Sequence, residues 1–365
     1  MKIGLLGCKG TTLDLLHTIQ QRGSFLVDQL ITLPADVAAR NRVAFYRGEE
    51  LQAAGREMGI PVHVVRSYPL RDPADLAFFQ EAGLDLLLVI GWERIIPDTV
   101  LGLLGKFACG MHGSAYGLPR GRGRSPLNWS ILTGQNRFIT YLFRYDPGID
   151  SGNIIGFKVF EINEFDDIAS LHMKNRTAMY QLLETYVPLI QQDQVTFIPQ
   201  PPEQPSFYPK RTPQDSGVDW SMSTQAIHRL IRAVAPPYPP AYCFLGQRQL
   251  YLLEAAPYDV SLFYGDVEPG TVVDVSSSLG VFVVKTVDGS LLVRKFQGVS
   301  IQDLRVGDIL GGIDQNHVLA QVEERYPAEL SDDQKEIRRS KRDFPVDPSP
   351  VLAAPISAAR VASRI

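Results

Sequence analysis

The chain predicts an α/β protein: an open, mostly parallel, Rossmann-like sheet with flanking helices, followed by a small β-barrel domain. Three observations lead there. Up to Ile90, short apolar runs alternate with stretches of helical apolar spacing, as in strands buried on both faces and joined by crossover helices. A proline-rich stretch then interrupts the chain near residue 200. Beyond it lie five short strand-like runs, the last two joined by Asp288-Gly289, a strong hairpin signal.

Ile3 to Leu6, closed by Gly7, is the first strand, and Leu13, Leu15, Leu16 and Ile19 give Thr12 to Arg22 a helical face. Strands follow at Leu26 to Leu33, Val62 to Val65 and Leu86 to Ile90, with helix-compatible stretches at Asp36 to Gly55 and Asp72 to Glu81. Crossovers between parallel strands are right-handed. The Gly7-Cys8-Lys9-Gly10-Thr11 turn matches neither GxGxxG nor GxxxxGK[ST], so no dinucleotide or nucleoside triphosphate is expected there. Ser125 reads as an N-cap and Pro126 as the first residue of a helix that buries Leu127, Ile131 and Leu132 and ends at Thr133-Gly134. Phe138 to Tyr145 and Asn153 to Phe160 read as strands on either side of a sharp turn, and Ala169 to Ile190 as a helix. The expected division is a first domain over 1–195, a linker over 196–214, a β-barrel domain over 215–325 and a mobile tail over 326–365.

With 365 residues and 45% hydrophobic content, the chain can bury two cores. A net charge of -4 provides no general attraction for nucleic acid or an anionic membrane, while small anionic substrates remain compatible with a local basic loop. Cys8, Cys109 and Cys243 are far apart with no CxxC spacing, so neither a metal site nor a disulfide framework is expected, and a reducing cytoplasm is the expected location. The amino terminus lacks a signal-peptide pattern, and no apolar run approaches the roughly 20 residues of a membrane span.

The chemistry-bearing residues concentrate between Cys109 and Gly156. His112 follows an apolar run, the position of a general acid or base as well as of a structural histidine. Gly113, Gly117, Gly121 and Gly123 loosen the next loop, and Arg120, Arg122 and Arg124 give it three planar cations suited to a carboxylate or phosphate, or to a merely solvated basic loop. Asp146-Pro147-Gly148-Ile149-Asp150-Ser151-Gly152 supplies two carboxylates in a tight turn. Earlier, Gly91 to Pro97 leaves the carboxyl end of a strand, where open α/β sheets bind ligands and where free main-chain groups could read a flat heterocycle. Trp92, Ile95 and Ile96 are equally compatible with core packing.

Taken in order, Met111-His112-Gly113-Ser114, Leu118-Pro119, Arg122-Gly123-Arg124-Ser125-Pro126-Leu127-Asn128-Trp129 and the Asp146 to Gly152 turn resemble the catalytic half of the folate-dependent formyltransferases. Gly91-Trp92-Glu93-Arg94-Ile95-Ile96-Pro97 resembles that family's pterin-binding segment. Arg211-Thr212-Pro213, Asp219-Trp220 and Ile231-Arg232-Ala233 resemble its junction into a carboxyl-terminal domain, which would make the barrel an open, OB-like one. The resemblance implies 10-formyltetrahydrofolate as co-substrate and His112 and Asp150 as the catalytic pair. It places Trp92, Arg94, Ile95, Ile96, Asp146 and Gly148 on the folate, and Ser114, Arg120, Arg122, Arg124 and Asn128 on the acceptor. The sequence departs from the family in two places. Gly110 stands where the family has asparagine, and Ser114-Ala115-Tyr116-Gly117-Leu118-Pro119 carries two extra residues. The function implied first is N-formylation of a small amine, an amino sugar on a nucleotide. A methionyl-tRNA formyltransferase and a non-catalytic folate-binding homologue are the alternatives, and monomer and homodimer both remain open.

Overall fold

The structure is a computed structural model and describes residues 1–262 and 266–338. Its first sheet has seven strands in the order β3-β2-β1-β4-β5-β7-β8. These are β1 Ile3–Leu6, β2 Gln29–Thr32, β3 Val62–Val64, β4 Leu86–Val89, β5 Phe107–Ser114, β7 Arg137–Arg144 and β8 Ile154–Glu161. The first five are mutually parallel, and β7 and β8 add antiparallel strands at one edge. β1, β2 and β4 are buried along their whole length, which is why β1 and β4 read as unbroken apolar runs, while β2 also buries Gln29 and Thr32.

One face is covered by α1 Gly10–Arg22, α3 Gly48–Met58 and the long α7 Ile168–Gln191, whose Leu15, Leu16, Leu51, Leu182, Leu183 and Val187 share a core with Leu86, Leu88 and Cys109. The other face carries α2 Ala35–Arg40, α4 Pro73–Ala82 and the short α5 Asp98–Leu101, packed on Leu6, Leu87 and Val89. The expected single helical stretch from Asp36 to Gly55 is two helices. Arg42 and Phe45 take positive φ between them, a conformation no helix continues through.

α6 Pro126–Leu132 begins with proline at its first turn as expected, but Ser125 sits at φ 56° and makes no side-chain cap bond. The proline alone starts this helix. α6 packs against α8 Thr224–Ala233 of the second domain, where the Asn128 amide donates to the Ala233 carbonyl at 2.7 Å.

The second domain is a six-stranded antiparallel sheet in the order β12-β13-β14-β11-β10-β15. Its strands are β10 Ala241–Leu245, β11 Arg248–Pro257, β12 Val272–Ser276, β13 Val281–Lys285, β14 Ser290–Gln297 and β15 Leu310–Gly311. Its two ends meet: Thr271 bridges Ile309, the Val272 amide donates to the Asp308 carbonyl at 2.8 Å, and the Leu310 amide donates to Gly270 at 2.9 Å. The sheet curls into a small OB-like barrel around Leu250, Leu252, Phe282, Val284, Leu291 and Val293.

Two stretches behave differently from the expectation of a spacer and a mobile tail. Within 196–214, Ile198 bridges Ile154, and β9 Phe207–Tyr208 pairs with β6 Arg122–Gly123. After the barrel, α9 Gln315–Glu323 and the chain up to Arg338 pack back on the first domain: Val318, Val322, Tyr326 and Ile337 share a cluster with Trp129 and Tyr208. Charge made this stretch look unstructured, but Glu336, itself buried, pairs with Arg120, and Arg325 pairs with the buried Asp215. The remainder of the expected tail, 339–365, lies outside the described residues. No helix among the described residues is long and apolar enough to cross a membrane.

Candidate active site

The sheet reverses its winding between β1 and β4, and the carboxyl ends of β4 and β5 next to that point carry the polar residues. His112 lies near the end of β5, opposite Tyr141 of β7. Its Nδ1 is 3.3 Å from Oδ2 of Asp150, and its Nε2 is 3.0 Å from the Gly121 carbonyl oxygen. Only 10% of the His112 side chain and 21% of Asp150 are exposed. The imidazole therefore makes a hydrogen-bond contact with a carbonyl at Nε2 and has a carboxylate at ion-pair distance from Nδ1, contacts that restrict its orientation.

Each acceptor is itself held. Asp150 takes φ 50°, an unusual value for a non-glycine residue, and its carbonyl accepts from the Gln200 amide at 2.7 Å; the same amide donates to the Gly152 carbonyl at 3.0 Å. Asp146 caps the turn by accepting from the Gly148 amide at 3.0 Å and from the Ser151 hydroxyl. Gly121, at φ 74°, donates its N–H to Ser206 Oγ at 3.0 Å, and a Cβ there would approach Ser114 Oγ to 2.6 Å. Glycine is required at this position both for the backbone angle and for the space.

The three loop arginines have three different partners. Arg120 pairs with the fully buried Glu336, Nη2 to Oε1 at 2.7 Å, and stacks over Tyr116. Arg122 is buried and donates from Nη2 to Gln200 at 2.6 Å, while its Nε has no partner among the described residues. Burial pulls its guanidinium below the ordinary value against the opposing charges of Asp150 and Asp146. Arg124 reaches Glu93 at 3.1 Å and is the most exposed of the three, at 40%. Glu93 also pairs with Lys9 at the end of β1. Burial raises the Glu93 carboxyl, but Lys9, Arg124 and Lys210 outweigh it and leave it lowered.

The structure gives two expected acceptor ligands other partners. Asn128 is buried against α8, as described, and Ser114 is buried with its Oγ accepting from the Tyr116 amide at 3.2 Å. In the expected folate segment, Trp92 is buried edge-on to Tyr68, and Ile96 lies in the core. Ile95 is 56% exposed, and Arg94 lies over the Tyr68 ring. The main-chain groups of Ile95 and Ile96 make no hydrogen bond among the described residues, and Trp92 Nε1 is likewise unpartnered. Unspent groups of this kind past the carboxyl end of a strand suit a flat, polar-edged ring.

Gln200, Ser206 and Glu336 hold the site but carry no motif. The first two lie within or beside the proline run, and Glu336 lies in a charged stretch. Lys9 belongs to a turn expected to serve only the backbone. A charge or amide opposite a proline-rich segment gives no periodic signal, so folding alone reveals these contacts.

A largely enclosed histidine–carboxylate pair near the carboxyl end of a parallel strand, beside a glycine-rich loop, marks the candidate site of an α/β fold. The chain belongs to the formyl transferase family: residues 15–187 match the sequence model described as formyl transferase, and residues 210–312 match the formyl transferase C-terminal domain. Among solved structures, the fold is similar to HypX from Aquifex aeolicus in complex with tetrahydrofolic acid, at 16% identity and TM-score 0.57, covering 88% of this chain and 47% of that one. The chain thus spans about half the length of HypX. It is also similar to the N-formyltransferase from Helicobacter canadensis in complex with folinic acid and dTDP-3-aminofucose, at 16% identity and TM-score 0.56, covering 81% of this chain and 100% of that one. A third is WlaRD, a sugar 3N-formyl transferase, at 16% identity and TM-score 0.55, covering 81% and 97% of the two chains.

Proposed function

We propose that the chain moves a formyl group from 10-formyltetrahydrofolate to a small amine, an amino sugar carried on a nucleotide. The observation that carries this reading is the His112–Asp150 pair, set 3.3 Å apart near the carboxyl end of β5, with the unspent main-chain groups of Ile95 and Ile96 following the adjacent strand β4. When bound, the folate supplies the activated formyl carbon. His112 moves the proton that the acceptor amine must lose, and Asp150 holds the imidazole in the orientation for doing so. Arg124, exposed at the mouth beside Glu93 and Lys9, is the loop cation best placed for an anionic acceptor.

The chain's net charge of -4 favours a small acceptor over tRNA. A non-catalytic folate-binding role rests on Gly110, which removes a side-chain donor next to His112. Incubating the protein with 10-formyltetrahydrofolate and a panel of amino-sugar nucleotides, aminoacyl-tRNA or water, and following tetrahydrofolate release, tests these readings. Release that depends on an amino-sugar nucleotide is the expected result. Folate binding without release under any condition would overturn it.

A further inference from the structure

The space beside His112 is filled from the neighbouring strand. β5 and β7 pair antiparallel with His112 opposite Tyr141 and Gly110 opposite Phe143, and the Tyr145 amide continues the pairing by donating to the Ala108 carbonyl at 2.8 Å. Alternation then places Tyr141, Phe143 and Tyr145 on the same face as His112 and Gly110. The Tyr145 ring slants across this face onto Gly110: a Cβ at position 110 would lie 2.2 Å from the ring and 3.1 Å from its hydroxyl. Any side chain at 110 and the phenol of Tyr145 therefore compete for one volume.

The ring is held by stacking on Phe143, with centroids 5.7 Å apart. Its hydroxyl has no hydrogen-bond partner among the described residues. Burial raises the phenol well above its ordinary value, and the nearby charge of Asp150 raises it further, so it remains a protonated donor. The hydroxyl is not among the wholly enclosed polar atoms, so it is open to an acceptor atom of a ligand on this face.

We propose that Tyr145 is a catalytic residue that donates its phenolic hydrogen to the formyl oxygen, from the volume that a side chain at position 110 would otherwise occupy. The proposal rests on the formyl-transfer reading. In that step the acceptor nitrogen bonds to the formyl carbon, the bond from that carbon to N10 breaks, and the proton lost by the acceptor ends on N10. Tyr145 keeps its own proton and offsets only the charge that gathers on oxygen.

Tyr145→Phe keeps the ring and removes the donor. The expected result is a fall in kcat of about 100-fold, with the folate KM raised by no more than about fivefold. A second readout needs no turnover: wild-type protein should prefer 10-formyl-5,8-dideazafolate over 5,8-dideazafolate, which lacks the formyl oxygen, and Tyr145→Phe should cut that preference by about fivefold. Placing asparagine at 110 in a Tyr145→Ala background should recover part of the kcat lost in Tyr145→Ala, because the vacated volume accepts an amide donor. An unchanged binding preference in Tyr145→Phe overturns the proposal, whatever the turnover. If the wild-type chain releases no tetrahydrofolate with any acceptor or water, the transfer reading fails, and the binding preference still decides whether Tyr145 contacts the formyl oxygen.

Discussion

Glu336 and Arg120 form an ion pair across 216 residues of sequence, with Nη2 2.7 Å from Oε1 and the carboxylate wholly buried. The same carboxylate accepts from the Ser206 hydroxyl, Ser206 accepts from the Gly121 amide, and the Gly121 carbonyl faces His112 Nε2. The last described turn of the chain thus reaches the imidazole through three hydrogen bonds. A stretch that lies beyond both family matches supports the loop that roofs the site.

Glu336→Gln should therefore destabilise the protein by about 3 kcal/mol, because it removes the charge from a wholly buried carboxylate that is ion-paired with Arg120. Urea denaturation measures this. The double variant Arg120→Gln/Glu336→Gln should lose less than the sum of the two single losses, and strict additivity would show that the pair does not couple.

His112→Ala and Asp150→Asn should each lower turnover by at least about 100-fold while leaving the fold intact, since acid–base and oxyanion contributions are of that size. Near-wild-type turnover in either purified variant would remove the pair from the mechanism.

The loop arginines should separate by environment. Arg124→Ala should raise the acceptor KM several-fold, with that of the folate nearly constant, whereas Arg120→Ala should chiefly lower the denaturation midpoint. Arg122→Ala releases Gln200, which holds the Asp150 turn, and should lower kcat. Equal effects from all three would contradict the partners described above.

Stability should fall with acid before the carboxylates titrate. Burial, with Arg232, Arg229 and Arg294 nearby, lowers His228 from its ordinary 6.5 to about 4. Between those values the unfolded chain binds the proton and the folded one does not, so the stabilisation present above about pH 6.5 is lost as the pH drops towards 4. Burial also lowers His172, which adds to the same trend. His228→Asn should flatten the dependence of Tm on pH over this window, and a profile parallel to wild type would show that His228 is not responsible.

Much of the first domain was legible because its signals are local. β1 and β4 are apolar throughout, and Asp72 and Pro73 start α4 as cap and first residue should, with the Asp72 side chain accepting from the Ala74 amide at 2.8 Å. Ser125 shows the limit: a good cap residue is left without a cap bond because the preceding segment is committed to pairing β6 with β9.

His112, Asp150 and the glycine loop were visible as residue types in a recognisable order, so the fold class, the two cores and the residues proposed as the acid–base pair could be read from the sequence. The folded structure was needed to show which arginine is exposed, that Asn128 and Ser114 are buried with partners inside the protein, that Glu336 returns to the site, and that Tyr145 occupies the space over Gly110. The reason is physical. Periodicity and turn chemistry act over a few residues and leave a pattern in the sequence, whereas desolvation and ion pairing depend on which distant segment arrives to exclude water.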